Sequence, residues 1–258
     1  MTNLSETESL RQVALIVGGA SGIGLATAGK FLQSGVCVML ADVNTSAGQL
    51  RCRELQQAYG EDACAFVSVD VTNSSSVEAM AETTHQRWGR IDFLINSAGL
   101  GATPSLPHML DDAEFERTLG VNLSGVFRSM KAVIPVMLRQ KSGSIVNLGS
   151  VGGMHPMPYG CDYGASKAAV IFLSRSMAQA YGRNGIRVNV VSPAWVDTPM
   201  IDEVVERKGP EMREKMKSDI PLGRIGCPEE IAGTVYYVAC DASFMSGSNV
   251  TVDGGMAS

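Results

Sequence analysis

Two side chains that can exchange a proton and stabilise the resulting charge lie four residues apart, at Tyr163 and Lys167. Positions four apart share one face of a helix, so the Lys167 ammonium is expected beside the Tyr163 phenol. A tyrosine with its ordinary pKa of ~10 is a poor base at neutral pH, but a neighbouring cation favours the phenolate. The pair therefore predicts a general acid/base in which Lys167 lowers the pKa of Tyr163. Because a chain with six tyrosines can show this spacing by chance, the surrounding motifs decide its meaning.

A glycine-rich turn follows the apolar run Val13–Val17 and leads into a segment of helical period. Glycines allow a tight turn and a close approach of the backbone to a pyrophosphate, and the helix start supplies N–H groups that bind it. As the first strand, turn and helix of the chain, this segment predicts a dinucleotide site. The turn consists of Gly18, Gly19, Ala20, Ser21, Gly22, Ile23 and Gly24.

The second apolar run leads into Asp42, about twenty residues past the glycines. A carboxylate there can accept hydrogen bonds from the adenosine ribose diol, and it would repel a 2′-phosphate. No Lys or Arg stands in the glycine-rich turn or directly after Asp42 to offset that repulsion. Asp42 therefore predicts NAD rather than NADP.

Apolar runs of strand length alternate with longer segments of helical period along the chain. The runs are apolar almost throughout, which is typical of parallel strands buried on both faces. The alternation predicts an α/β fold, a Rossmann-type doubly wound sheet of about seven parallel strands flanked by helices, with ligands at the carboxyl ends of the strands. The predicted strands are Val13–Val17, Val36–Ala41, Ala63–Val69, Ile91–Ile95, Ser144–Leu148, Ile186–Val191 and Asn249–Val252, and the predicted helices begin near Ile23, Ser46, Ser74, Val121, Tyr163 and Pro228.

No linker, repeat or low-complexity tract divides the 258 residues, so we expect one domain over 1–258, with a loose N-terminus at 1–11. The charged stretch 198–222, here called the cover segment, interrupts the alternation. Long insertions in compact domains tend to be functional, so we expect it to cover the substrate; a solvated helical excursion is the alternative. Its basic residues intersperse with glutamates, which favours a solvated helix face. Those basic residues are Arg207, Lys208, Arg213, Lys215 and Lys217.

Composition disfavours several other functions. The net charge of −5, with no block of like charges, argues against a nucleic-acid or anionic-membrane partner. No apolar run reaches the length of a membrane span and residues 1–12 do not resemble a signal peptide, so we expect a cytoplasmic protein. The six cysteines are scattered without CxxC spacing and no HExxH occurs, so we expect neither a metal site nor a disulfide framework.

Several further motifs, in a fixed order, make the chain resemble the short-chain dehydrogenase/reductase family from Val13 to Gly255. It departs from the family pattern where Val17, Ser97 and Ala194 replace the usual Thr, Asn and Gly. The matching segments after the glycine-rich turn are Asp70-Val71, Asn96-Ser-Ala98-Gly99, Asn122, Ser150, the Tyr163/Lys167 pair, Pro193-Ala-Trp195-Val196-Asp-Thr198 and the closing strand and turn at 246–255.

The resemblance implies a catalytic set of Asn122, Ser150, Tyr163 and Lys167. Tyr163 would exchange a proton with the substrate oxygen while Ser150 holds that oxygen. Lys167 would lower the pKa of Tyr163 and hold the nicotinamide ribose, and Asn122 would support a water relay to solvent. The implied cofactor contacts, together with Asp42, are Gly18, Ser21, Gly22, Ile23, Gly24, Asp70, Val71, Asn96, Ala98, Gly99, Tyr163, Lys167, Pro193, Val196 and Thr198.

The family also implies a secondary alcohol or its ketone as substrate, with steroid, sugar, diol and aliphatic compounds all left open. By analogy we expect a partly apolar substrate pocket. The segment after Tyr163 is apolar more broadly than one core-facing stripe, and the family implies a homotetramer built partly on it. The expected pocket residues are Gly152, Met154, His155, Met157, Trp195 and Met200.

Three alternatives are weighed against this interpretation. An NADP-dependent carbonyl or 3-oxoacyl-carrier reductase is disfavoured by Asp42. A non-catalytic dinucleotide sensor would not need the full set of Ser150, Tyr163 and Lys167. A serine hydrolase is disfavoured because no Gly-x-Ser-x-Gly elbow occurs and the three histidines do not fit a triad order.

Overall fold

Successive side chains of the central strands are buried on opposite faces of one sheet. In the computed structural model, which describes residues 11–257, seven parallel strands lie in the order β3-β2-β1-β4-β5-β6-β7. The strands are β1 (Val13–Val17), β2 (Cys37–Asp42), β3 (Cys64–Ser68), β4 (Phe93–Asn96), β5 (Gly143–Leu148), β6 (Ile186–Pro193) and β7 (Asn249–Val252). The predicted Rossmann-type α/β sheet is confirmed. The largest differences between predicted and observed strand ends are two residues: β4 begins at Phe93 rather than Ile91, and β6 ends at Pro193 rather than Val191.

Helices pack on both faces of this sheet. They are α1 (Gly22–Gln33), α2 (Thr45–Tyr59), α3 (Ser74–Trp88), α4 (Asp112–Leu119), α5 (Val126–Gln140), α6 (Cys161–Tyr181), α7 (Pro199–Lys208), α8 (Glu211–Ser218) and α9 (Pro228–Tyr236). Leu15 and Met39 belong to the core that α3, α5 and α6 complete, whereas Ile16 and Leu40 belong to the core on the side of α1, α2 and α9. This alternation explains why the strands are apolar almost throughout.

The helix predicted to begin near Val121 begins earlier. Asp111 accepts a hydrogen bond from the Ala113 N–H and so caps α4, and a π-helical turn at Gly120–Gly125 joins α4 to α5. The whole stretch Asp112–Gln140 has 29 residues, and an 18-residue window within it has a mean hydropathy of 1.2, enough by length and composition to cross a membrane. Half of that window is buried inside the protein, as in the core helix of a folded domain. We expected no stretch of that length, because the continuity of the three pieces is not apparent from the sequence.

Strand order reverses at β1, whose neighbours are β2 and β4. In open parallel sheets, ligands bind at the carboxyl ends of strands beside such a reversal. The glycine-rich turn follows β1 at this position, and α6 begins near the carboxyl end of β5. The expected loose N-terminus, 1–11, lies outside the described residues except for its last position.

A buried polar ladder connects β4, β5 and α6. The Asn96 side-chain amide donates to Asn147 Oδ1 at 2.7 Å, and the Asn147 amide donates to Ser174 Oγ at 2.9 Å. Asn147 and Ser174 are almost completely buried, so the ladder fixes how α6 lies on the sheet.

Replacing Asn147 by Ala is expected to lower the free energy of unfolding by about 2–4 kcal/mol, because it leaves the Asn96 amide buried without a partner and opens a small cavity. Urea denaturation measures this change. Ser176→Ala on the exposed face of α6 is the control, expected to change stability by less than about 0.5 kcal/mol. Equal unfolding midpoints for wild type and Asn147→Ala would contradict the role of the ladder.

Candidate active site

A cavity of about 1030 Å³ lies at the carboxyl ends of the strands, between the glycine-rich turn, the start of α6 and the cover segment. The structure places most of the predicted site residues on its wall. Those that line it are Gly18, Ser21, Gly22, Ile23, Asp42, Asp70, Val71, Ala98, Gly99, Ser150, Gly152, His155, Met157, Tyr163, Lys167, Pro193, Trp195, Val196, Thr198 and Met200.

Two positions of the glycine-rich turn, Gly18 and Gly24, have no room for any side chain. Gly18 has φ of +81°, and a Cβ there would lie 2.4 Å from the Ala98 nitrogen. A Cβ on Gly24 would lie 2.0 Å from the Gly18 carbonyl oxygen. Helix α1 begins at Gly22, and the side chain of Ser21 does not cap its first N–H groups, which are the groups that bind phosphates at other helix starts. This cradle fits the pyrophosphate of a dinucleotide.

Asp42 stands at the end of β2 on the cavity wall. Its Oδ2 accepts the Ala20 N–H and its Oδ1 accepts the Asn44 N–H, both at 3.0 Å, so the carboxylate is fixed against the glycine-rich turn. Asp70 is fixed in a similar way, because its Oδ1 accepts hydrogen bonds from the Thr72 hydroxyl and N–H. These bonds hold the pKa of Asp70 below its ordinary value. Local hydrogen bonds therefore orient both carboxylates on the cavity wall.

The first two turns of α6 carry the Tyr163 and Lys167 side chains. The Lys167 ammonium lies 5.6 Å from the centre of the Tyr163 ring and donates to the Leu148 carbonyl oxygen at 2.8 Å. Only 5% of Lys167 is exposed, and this burial lowers its pKa to about 8. At neutral pH the ammonium is therefore still protonated, but by a narrow margin.

Ser150 lies two residues past the end of β5. Its Oγ accepts the Gly152 N–H at 3.1 Å and so caps the short 3₁₀ turn Val151–Gly153. Burial raises the pKa of the Tyr163 phenol, and a hydrogen bond with Ser150 lowers it by less. In the protein without a bound cofactor, the pKa of Tyr163 is therefore raised by the loss of hydration rather than lowered.

Asn122 lies in the π-helical turn behind the cavity wall. Its Oδ1 accepts the Leu100 N–H at 2.7 Å, and its amide donates to the Leu100 carbonyl at 3.0 Å and to Ser166 Oγ at 3.2 Å. Ser166 in turn donates to the Tyr163 carbonyl at 2.7 Å. Asn122 therefore connects the loop after β4 to α6. Such π-helical turns are frequent at functional sites.

Asp162 is a site residue that the sequence interpretation missed. It is fully buried directly before Tyr163, and its Oδ2 accepts the Thr118 hydroxyl at 3.0 Å and the Thr103 N–H at 3.3 Å. These contacts join the start of α6 to α4 and to the loop after β4. An acidic residue in the first turn of a helix was the available signal, but its partners are far apart in the sequence.

Four predicted site residues do not line the cavity. Gly24 packs on Gly18 as described, and Asn96 and Asn122 are buried behind the wall. Met154 is a correction to the expected substrate pocket: its sulfur lies 3.0 Å from the Asn249 amide nitrogen, beside a separate shallow pocket. The side chain points toward β7 because the 3₁₀ turn after Ser150 ends at this residue.

Several cavity residues come from parts of the chain that the motifs do not cover. They belong to the loop after β4, the loop before α6, the cover segment and the C-terminal turn. In that turn, Asp253 accepts the Gly255 and Ala257 N–H groups and so brings Met256 to the wall. Within residues 11–257, no group of three or more His, Cys, Asp or Glu is placed to hold a metal ion. The added cavity residues include Leu100, Tyr159, Val204, Met212 and Met256.

Comparisons of the sequence and of the structure with known proteins all match oxidoreductases over nearly the whole chain. The profile described as enoyl-(acyl carrier protein) reductase matches residues 18–257. The chain is 37% identical to 3-oxoacyl-[acyl-carrier-protein] reductase of Thermotoga maritima, over 95% of this chain and 97% of that protein. It is 37% identical to cis-4-hydroxycyclohexanecarboxylate dehydrogenase of Sinomonas cyclohexanicum, over 95% and 96% respectively. The crystal structure of levodione reductase superposes with a TM-score of 0.90 at 33% identity, covering 95% of this chain and 97% of that one.

The lowered pKa of Lys167 predicts a pH-dependent difference in stability. Between pH 8 and 10.5 the unfolded chain holds a proton on Lys167 that the folded chain has lost, so this group makes wild type more stable as pH rises through that range. In Lys167→Met this contribution is absent. The unfolding free energy of wild type minus that of Lys167→Met should therefore increase by about 2 kcal/mol from pH 7 to pH 9.5.

Urea denaturation at the two pH values measures this difference. Lys131→Met, on the exposed face of α5, is the control and should show no comparable change. If the difference in unfolding free energy between wild type and Lys167→Met were the same at both pH values, burial would not lower the pKa of Lys167.

Proposed function

From the premise that this chain belongs to the short-chain dehydrogenase/reductase family of oxidoreductases, we propose that it interconverts a secondary alcohol and its ketone, using NAD. One observation carries the proposal: Ser150, Tyr163 and Lys167 line the same cavity as the glycine-rich cradle. A hydroxyl, a phenol and an ammonium group next to a dinucleotide site are the groups that coupled proton and hydride transfer needs.

The side chains would share this chemistry as follows. The nicotinamide, when bound, accepts or supplies the hydride. Ser150 Oγ would hold the substrate oxygen. During oxidation the Tyr163 phenolate would accept the alcohol proton, and during reduction the Tyr163 hydroxyl would donate its proton to the ketone oxygen and be left as phenolate. Lys167, still protonated at neutral pH, would stabilise the phenolate that remains, and Asn122 would support a water relay behind it.

The apolar side chains on the cavity wall favour a substrate with an apolar body. Met157, Met200 and Met212 contribute thioether side chains that adapt to irregular apolar shapes. Trp195 and Leu100 extend the same apolar surface. We therefore favour an alicyclic or aliphatic alcohol over a sugar.

A second candidate is an NADP-dependent 3-oxoacyl-carrier reductase, which the Thermotoga maritima relative's name supports. Asp42 argues against it, because its carboxylate would repel a 2′-phosphate and no basic side chain of the glycine-rich turn lies beside it. The complete set of Ser150, Tyr163 and Lys167 argues against a non-catalytic dinucleotide sensor.

We also propose that the enzyme is a cytoplasmic homotetramer. Phe172 on α6 and Phe127 on α5 are exposed apolar side chains, which a partner subunit would cover. All six cysteines are free thiols, as is usual in a reducing compartment.

Tyr163→Phe is expected to reduce turnover at least about 1000-fold, because it removes the hydroxyl that exchanges the proton. The Kd for NADH, measured by nicotinamide fluorescence, should stay within about twofold of wild type. Tyr59→Phe, on the exposed surface of α2, is the matched control and should keep full turnover. Substantial turnover by Tyr163→Phe would contradict the assigned role.

The cofactor preference is tested by kcat/KM with NAD and with NADP against a panel of secondary alcohols. We expect wild type to favour NAD by about 100-fold, because the phosphate and the Asp42 carboxylate repel each other. The double variant Asp42→Asn, Val43→Arg should lose most of that preference, since Asn keeps an oxygen for the Ala20 N–H while Val43 is exposed beside the cavity. A wild type that prefers NADP would refute the role given to Asp42.

A further inference from the structure

The basic side chains of the cover segment fall into two groups. Arg207, Lys208 and Lys215 line the cavity and make no ion pair within residues 11–257. Building on the proposed function, we propose that these three form a subsite for an anionic group, a carboxylate or a phosphate ester, at the far end of an apolar alcohol or ketone. The enzyme would then act on acidic substrates and discriminate against their neutral analogues.

The other two basic residues are neutralised away from the cavity. Arg213 bonds Asp197 at 2.7 Å and Asp202 at 2.5 Å, and Lys217 bonds Glu214 at 2.6 Å. None of these five residues lines the cavity. The basic residues of this solvated segment therefore divide into Arg213 and Lys217, which pair with carboxylates, and three exposed cations on the cavity wall.

Helix α7 presents a graded surface to the cavity. Met200 near its start lies against Gly101 in the loop after β4, and Val204 follows one turn later. Arg207 and Lys208 come at the end of the helix, roughly 10–12 Å further along its axis. A cavity wall of α7 that begins with apolar side chains and ends in cations fits an apolar molecule with a terminal anion.

The cofactor phosphates are bound elsewhere. A Cβ on Gly22 would lie 3.2 Å from the Thr198 side chain, so the glycine-rich cradle adjoins the start of α7 and not its cationic end. Two carboxylates, Glu203 and Asp219, also line the cavity, which still leaves an excess of positive charge on the cover segment's cavity face. Arg207 Nε donates to the Glu203 backbone carbonyl, so its terminal guanidinium nitrogens keep their hydrogen-bonding capacity for a ligand.

The test compares wild type with a triple variant, Arg207→Gln, Lys208→Gln, Lys215→Gln. The probes are methyl ketones of graded chain length that end in a carboxylate, in its methyl ester or in a phosphate monoester. The Kd for each probe is measured on the NADH complex by nicotinamide fluorescence, so compounds that bind without being reduced still report on the subsite. KM, kcat and the Kd for NADH are measured in parallel.

We expect wild type to bind the best acid or phosphate at least tenfold more tightly than the matching ester, with a preference that weakens as salt is added. The triple variant should lose that preference and keep its affinity for NADH and for the ester. Lys217→Gln, a paired lysine on the same helix as Lys215, is the control and should behave as wild type.

Equal affinity of wild type for acid, phosphate and ester at every length would overturn the subsite. If Tyr163-dependent reduction of the ester persisted in that case, the proposed function would stand without it. A tenfold loss of NADH affinity in the triple variant would also overturn the proposal, since the cations would then serve the cofactor. Failure of the proposed function has a different signature: wild type would bind the probes but reduce none of them.

Discussion

Lys167 constrains the arrangement of the active site, because a nearly buried ammonium needs hydrogen-bond acceptors in a fixed place. Its donation to the Leu148 carbonyl requires α6 to pass close to the carboxyl end of β5. The same approach brings Tyr163, one turn earlier on the helix, to the strand extension that carries Ser150. One hydrogen bond between a side chain and the end of a strand therefore sets the relative positions of the phenol, the cation and the hydroxyl. The lowered pKa of Lys167 reflects the desolvation that this arrangement costs.

Three further polar contacts hold α6 in that position from different directions. Asn147 joins it to β5 and β4, Asn122 joins it to the loop after β4, and Asp162 joins it to α4. Each is almost completely buried, and a buried polar group that loses its partner costs about 1–3 kcal/mol. Apolar packing alone would tolerate small rotations of the helix, whereas these directional contacts do not. Proton transfer between Tyr163 and a substrate oxygen depends on such fixed distances.

The sequence was sufficient to predict the sheet and the residues on its carboxyl edge, because apolar strand runs and the glycine-rich turn are local signals. It was not sufficient where a side chain's role depends on partners distant in the chain. In the sequence, Asp162 is an ordinary acidic residue at a helix start. Only the fold shows that it accepts hydrogen bonds from Thr103 and Thr118. Met154 was expected in the substrate pocket but faces Asn249, since the direction of a loop side chain follows from the fold. The pKa of Tyr163 is a related case: spacing predicts that a cation is near, but only burial reveals the competing loss of hydration.

The cover segment is an intermediate case. Its sequence contains the charge pattern, but the positions of the charges in space follow only once the helix bounds are known. Along the sequence, its basic residues are interspersed with acidic ones. Once Glu211–Ser218 is known to be a helix, residues two apart point to nearly opposite sides, while those three or four apart share a side. Arg213 and Lys217 then share one face with their carboxylate partners nearby, and Met212 and Lys215 share another that lines the cavity. Helical geometry therefore separates Arg213 and Lys217, which pair with carboxylates away from the cavity, from Lys215, which lines the cavity together with Met212 and Asp219.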